Sequence, residues 1–110
     1  MVFKLAPKTG KETVLYTFTG GADGSTPYGG VIPNKAGKLF GTTEQGGTST
    51  YGTIFGLDPR TGTETVLHDF TGPEGAFPLD GLTQDSAGNL YGTTNSGGSN
   101  DWGVVFRLHP

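Results

Sequence analysis

A near-verbatim internal repeat constrains this chain more than any other feature. Residues 2–20 read VFKLAPKTGKETVLYTFTG and residues 54–72 read IFGLDPRTGTETVLHDFTG, with twelve identities in nineteen positions at an offset of 52. Residues 24–53 and 75–104 then match at an offset of 51, with twelve identities in thirty positions. The change of offset falls where GGADG becomes GPEG, inside a turn, where the loss of one residue is tolerated. VFRLHP opens a third copy. The chain therefore reads as one domain over residues 1–110, with repeat 1 over about 2–53, repeat 2 over about 54–104 and the start of a third repeat over 105–110.

Composition decides what such a repeat can build. Glycine fills 21 positions, hydrophobic residues make up 32% and charged residues 15%. Flexible low-complexity chains are also glycine-rich. Here, however, aromatic and aliphatic residues recur at fixed places between the glycines, the pattern of short strands joined by tight turns. VFKLAP is a strand ended by a proline, which cannot donate to a ladder. KTG or RTG turns the chain. TVLYTF then sets Val14, Tyr16 and Phe18 against Thr13, Leu15 and Thr17 at period two. A third short strand spans 30–33 or 81–84, and Asn34-Lys-Ala-Gly or Asp85-Ser-Ala-Gly forms a hairpin turn. LFGTT or LYGTT is the fourth strand, in which Gly41 and Gly92 leave room for a close approach of neighbouring units.

Four strands recurring every ~50 residues are the signature of a β-propeller blade. The expected architecture is all-β, a β-propeller of ~51-residue four-stranded blades with two repeats per chain. The expected inward set is Phe3, Leu5, Leu15, Phe18, Leu39, Phe55, Leu57, Leu67, Phe70, Leu90 and Phe106.

A net charge of −3 and a pI near 5.1 argue against nucleic acid as a partner. Lys4, Lys8 and Lys11 form the densest cationic group, and the second copy replaces two of them with Gly56 and Thr63. No apolar run approaches the ~20 residues needed for a helical membrane span. No signal peptide opens the chain. Met1 directly precedes a strand-like segment, as in a natural or engineered fragment of something longer. The absence of cysteine excludes disulfides and thiolate zinc sites.

The two copies, through VFxLxP, ETVLxxF, AGxLxGTT and GG, resemble the GloVer tandem repeat over the whole chain. That resemblance implies a propeller-like module of long, exported or surface-anchored bacterial proteins, and hence an extracellular or cell-surface setting. It brings no established reaction with it. Pro33 and Lys35 depart from Gln84 and Ser86 of the second copy, and Gly56 replaces the usual long polar residue.

Catalysis and metal binding find little support in the residues. Asp23, Asp58, Asp69, Asp80, Asp85 and Asp101 are dispersed along turns, and their counterparts are mostly not acidic. Asp85-Ser-Ala-Gly-Asn lacks the alternating oxygen ligands of a calcium loop and reads as an Asx turn. His68 and His109 form no motif, no serine sits in GxSxG, and the glycine pairs match no phosphate-binding pattern. No catalytic residue, metal or cofactor is assigned. The one binding feature is the loop GGTSTYG, copied as GGSNDWG. There Tyr51 or Trp102 stands beside Thr48, or beside Asn100 and Asp101, an aromatic platform with polar neighbours of the kind a sugar ring uses. Tyr28 and Phe77 beside Pro27 and Pro78 carry the same two readings, since any of these aromatics can instead lock blades together.

Two repeats leave two sheet faces open, whereas such arrays normally need about three or more units. Self-association into a closed ring covers both faces: two, three or four chains give four, six or eight blades, of which six, then eight, is expected. Because the VFKL-type strand occurs three times, one copy per chain is surplus, so either a terminal strand is displaced or the blade phase differs from the repeat phase. The expected function is a non-enzymatic binding or interaction scaffold. A lectin-like carbohydrate binder is the alternative and a polysaccharide-acting enzyme the third.

Overall fold

Proline and glycine punctuate the β-branched and aromatic runs at short intervals, so every strand is short. A computed structural model describes residues 1–110. Its strands are β1 (Val2–Ala6), β2 (Lys11–Tyr16), β3 (Ile32–Pro33), β4 (Leu39–Thr43), β5 (Thr53–Asp58), β6 (Thr63–Asp69), β7 (Thr83–Gln84), β8 (Leu90–Thr93) and β9 (Val105–Leu108). The fold is all-β, and no helix is long and apolar enough to cross a membrane. The strands form three antiparallel sheets: the hairpin β1-β2, the central sheet β3-β4-β5-β6 and the C-terminal sheet β7-β8-β9.

The sheets do not follow the repeat frame. The complete four-stranded sheet runs from Ile32 to Asp69, taking two strands from each repeat. The hairpin corresponds to its last two strands and the C-terminal sheet to its first three. The VFKL-type strand therefore lies in all three sheets, as β1, β5 and β9.

Two apolar layers separate the sheets. Phe40, Ile54 and Phe70 of the central unit pack on Leu82 and Leu90, with Leu67, Phe106 and Leu108 partly buried around them. On the opposite face Phe55 and Leu57 meet Val2, with Leu15, Tyr16 and Phe18 of the hairpin unit around them. Phe18 stands edge-on to Phe55 at 5.1 Å, and Phe70 to Phe106 at 5.5 Å. Each fully buried side chain of this size contributes roughly 1.5–3 kcal/mol of burial. The central sheet is thus sandwiched, and β5 is its most buried strand.

Three expectations change. Phe3 and Leu5 are not core: they are 55% and 54% exposed, whereas their counterparts Phe55 and Leu57 are at 1% and 0%. The face of β1 that carries them has no sheet stacked against it. The period-two pattern of TVLYTF also fails, because register slips opposite Val2 and again opposite Ile54. The slips leave Leu15 and Leu67 without partners in the ladder and turn them into the apolar layers, while Val14 is 45% exposed. Such a bulge re-aims a side chain at the cost of one ladder pair. Finally, Gly41 and Gly92 make room within their own sheets, where a Cβ would meet the Phe55 and Phe106 rings of the next strand at 2.8 and 2.5 Å. The close approach between repeat units lies instead at Gly29, where a Cβ would stand 2.7 Å from the Asp80 carbonyl carbon.

Candidate functional site

The loops that leave β2 and β6 are locked by an acid a few residues beyond a threonine. Asp23 accepts hydrogen bonds from the Thr19 amide (3.0 Å), the Thr19 hydroxyl (2.6 Å) and the Tyr16 hydroxyl (2.7 Å). In the second copy Glu74 accepts from the amide and hydroxyl of Thr71, with the His68 imidazole 3.4 Å away. Burial alone raises the Asp23 carboxyl, but the Thr19 and Tyr16 hydrogen bonds outweigh it and hold it at about 2. The Thr71 hydroxyl bond, aided by the Thr71 amide and His68, brings Glu74 to about 2. The Tyr16 phenol, which donates to Asp23, is pushed up to about 12.

Opposite the first lock sits an anomaly. Glu64 pairs with Leu57 on the face that meets the hairpin, and its Oε2 is buried without a hydrogen-bond partner. Burial first, and the Asp23 charge second, raise this carboxyl to about 7.

The second pair of loops builds a polar concavity. Tyr51 and residues 71–77 and 96–101 form a cleft of about 430 Å³ lined by Tyr51, Thr71, Phe77, Ser96 and Asp101, among others. Tyr51 stands edge-on to Phe77 at 5.6 Å, and the Phe77 amide donates to the Tyr51 carbonyl at 2.8 Å. Phe77 has φ +58° immediately before Pro78, and Thr26, its counterpart, has φ +50° before Pro27. Thr50 and Asp101, also counterparts, have φ +64° and +61°. Left-handed backbone at a non-glycine costs of order 1 kcal/mol or more and concentrates at functional loops. Here it recurs at the same two positions in both copies.

Of the seven residues singled out from the sequence, Tyr51, Phe77 and Asp101 meet in this cleft. Thr48 is spent on architecture: its amide and hydroxyl donate to Asp69 at 3.0 and 2.6 Å. Asp101 closes its own loop by accepting from the Gly97 amide at 3.0 Å, which leaves its second carboxylate oxygen for the cleft. Asn100 is exposed outside the cleft, and Trp102 stands 89% exposed. Tyr28 is likewise exposed at 69%. In the copied loop Tyr51 packs at the cleft against Phe77, and Trp102 stands in solvent.

The turns of Asn34 and Asp85 are Asx turns, as their sequence predicts. Asn34 Oδ1 accepts from the amides of Ala36 and Lys38, and Asp85 Oδ1 from those of Ala87 and Asn89. The Asn89 and Tyr91 side chains also donate to Asp85 and, Asn89 foremost, hold that carboxyl at about 2. Sequence reasoning missed the Asp23 and Glu74 locks. The signal was present in TFTGGAD and DFTGPE, a threonine followed at capping distance by an acid. It missed Glu64 because nothing in ETVL announces which glutamate a neighbouring sheet will cover.

A family model described as the Gloeobacter/Verrucomicrobia repeat matches residues 1–110. No curated protein and no solved structure matches the chain.

Proposed function

The chain belongs to the Gloeobacter/Verrucomicrobia repeat family, and on that premise we propose that it is a β-propeller repeat module, a non-enzymatic scaffold that associates end to end with copies of itself. One observation carries this reading. The hairpin presents Phe3, Leu5 and Val14 to solvent, whereas the equivalent residues of the central sheet lie against a preceding unit, Phe55 and Leu57 fully covered and Val66 half-buried. A surface that is core in one copy of a repeat and bare in another is built to be covered by a further repeat. For the 110-residue chain alone, that repeat comes from a second molecule. Three or four chains closing head to tail give six or eight blades, within the usual range of about four to eight. In the exported surface proteins that such repeats build, neighbouring repeats serve the same purpose.

The non-enzymatic reading is supported by how six of the ten acids are used. Asp23, Asp58, Asp69, Glu74, Asp85 and Asp101 each hold a turn through a backbone amide. Light scattering coupled to size exclusion tests the scaffold: a sharp species of three or four times 11.4 kDa is expected. A monomer at every concentration refutes it.

A second reading, carbohydrate binding, is favoured by the cleft. Tyr51 offers an aromatic face beside the Asp101 carboxylate and the Thr71 and Ser96 hydroxyls, the combination a sugar's apolar face and hydroxyls require. Glycan-array binding that disappears in Tyr51→Ala but persists in Trp102→Ala supports it. Binding lost only in Trp102→Ala moves the site to the exposed loop, and turnover of a polysaccharide would replace both readings with an enzyme.

A further inference from the structure

The interface between the hairpin and the central sheet shows what the third sheet lacks. There β6 supplies the outermost strand of the central sheet, with Val66 opposite Phe55 and Glu64 opposite Leu57, both on the side that faces the hairpin. The C-terminal sheet stops at β9 and has no such strand. In its place, beside Phe106, Arg107 and Leu108, lies a cavity of about 220 Å³ walled on the central side by Ile54, His68, Phe70 and Glu74, the counterpart of the Asp23 lock that faces Glu64 at the first interface. The repeat equivalences are one to one: Ile54, His68 and Phe70 stand where Val2, Tyr16 and Phe18 stand at the first interface, and Phe106 and Leu108 where Phe55 and Leu57 stand. By strand register, the residues that stand in the corresponding place at the first interface are Val66 and Glu64. Their counterparts elsewhere in the chain are Val14 and Glu12 of β2, and both are exposed.

The other end shows the reciprocal vacancy. A cavity of about 300 Å³ lies between Val2 and Phe3 of the hairpin and Pro27, Val31 and Phe55 of the central unit. At the second interface the equivalent space is occupied by Phe40, which packs with Leu82 and Leu90. The counterpart of Phe40 on the C-terminal sheet is Tyr91. The two vacancies and the two unused sets of side chains fit one arrangement.

We infer that the β1-β2 hairpin of a second copy completes the C-terminal sheet, its Val14 and Glu12 entering the Ile54–His68–Phe70 cavity while Tyr91 enters the second copy's Val2–Phe55 cavity. This deepens the end-to-end association proposed above and rests on it. The lane beside β8 holds one strand, and both β9 and the incoming β1 are of the VFKL type. β1 takes it. β1 is zipped to β2 through the turn at Pro7–Gly10, where the Gly10 amide donates to the Ala6 carbonyl at 2.8 Å, so the hairpin moves as a unit. β9 pairs with β8 alone, over four residues, with no tight turn joining them. The exchange also covers Phe3 and Leu5, which the isolated chain leaves exposed. Continuity with the β4-β5 register sets Lys4 of the second copy opposite Tyr91 of the first, as Gly56 is opposite Phe40.

The absence of native cysteine makes the test clean. Lys4→Cys mixed with Tyr91→Cys is expected to give a disulfide-linked heterodimer under mild oxidation, read on a non-reducing gel. A mixture of Thr13→Cys and Arg107→Cys, positions that face each other only if β9 keeps the lane, is expected to give none. Phe3→Lys, at a position already exposed in the single chain, should retain the far-ultraviolet β spectrum and lower the mass by light scattering to that of one chain. A cross-link from the second mixture overturns the strand exchange. No cross-link from either mixture, with a multimer present in light scattering, places the contact elsewhere and overturns this inference while the association stands. A monomeric unmodified chain overturns both.

Discussion

At the scale of single residues the chain balances acids that gain from the fold against one that loses. Asp23 and Glu74, held at about 2 against ordinary values of 3.8 and 4.5, contribute stability above those ordinary values. That stability is lost as pH falls toward 2. Glu64 runs the other way. Raised to about 7 from 4.5, it favours the fold below about 4.5, and that contribution drains away as pH climbs to about 7. Thermal melts from pH 2 to 9 should therefore show a maximum near pH 4.5. Glu64→Gln, which keeps the shape and removes the charge, should raise the midpoint at pH 8 and abolish the decline between pH 4.5 and 7. An unchanged decline in that variant would show that Glu64 is ionised without penalty. The paired phenylalanines give a second residue-level contrast. Phe55→Ala should cost about 3–5 kcal/mol in urea unfolding, as buried aromatics do. Phe3→Ala, in the same repeat position but exposed, should stay within about 0.5 kcal/mol when measured on the single-chain species. Equal losses would contradict the covered and uncovered faces.

At the scale of elements, the glycine of the GTT strand sets how closely an aromatic can lie across its own sheet. A methyl at Gly41 would meet the Phe55 ring at 2.8 Å and Val31 at 3.1 Å. Gly41→Ala should therefore destabilise by about 1–3 kcal/mol, the range for overpacking, and Phe55→Leu should recover part of that loss in the double variant. Strict additivity of the two changes would show that they do not touch. The strands themselves were legible, because proline, glycine and β-branched runs mark them locally and the repeat marks them twice. The Asx turns at Asn34 and Asp85 were legible for the same reason. What was not legible is what the neighbours decide. Phe3 and Phe55 occupy the same place in the same motif, and only the sheet stacked on β5 distinguishes them. The bulges at Leu15 and Leu67 were hidden because a period-two reading assumes an unbroken ladder, and TVLYTF satisfies that period by residue type alone. Of the candidate site, Tyr51 and Asp101 were readable as a polar-aromatic loop. Phe77 was readable as an aromatic beside a proline, but the backbone twist that carries it into the same cleft is encoded by no side-chain pattern.

At the scale of the whole molecule, the two apolar layers are of unequal completeness. Each central face is covered, but the covering units are partial, so part of what a third or fourth strand would bury stays open at both ends. Sheet stacking of this kind is close to additive along a repeat array, each unit contributing its own stability and that of its contacts. Closing the array should therefore raise apparent stability by mass action rather than by any change within a unit. The thermal midpoint of the unmodified chain should climb with protein concentration, by the equivalent of about 2.7 kcal/mol once the concentration of binding sites reaches a hundred times the dissociation constant. Because Phe3, Leu5 and Val14 are apolar, moderate salt should leave that climb intact, whereas a contact made mainly by surface ion pairs would weaken within a few hundred millimolar. Differential scanning calorimetry at low and high protein concentration, each with and without added salt, separates the two. A midpoint independent of concentration describes a chain that is stable with its ends bare, and the apolar faces of the hairpin would then need another partner to account for them.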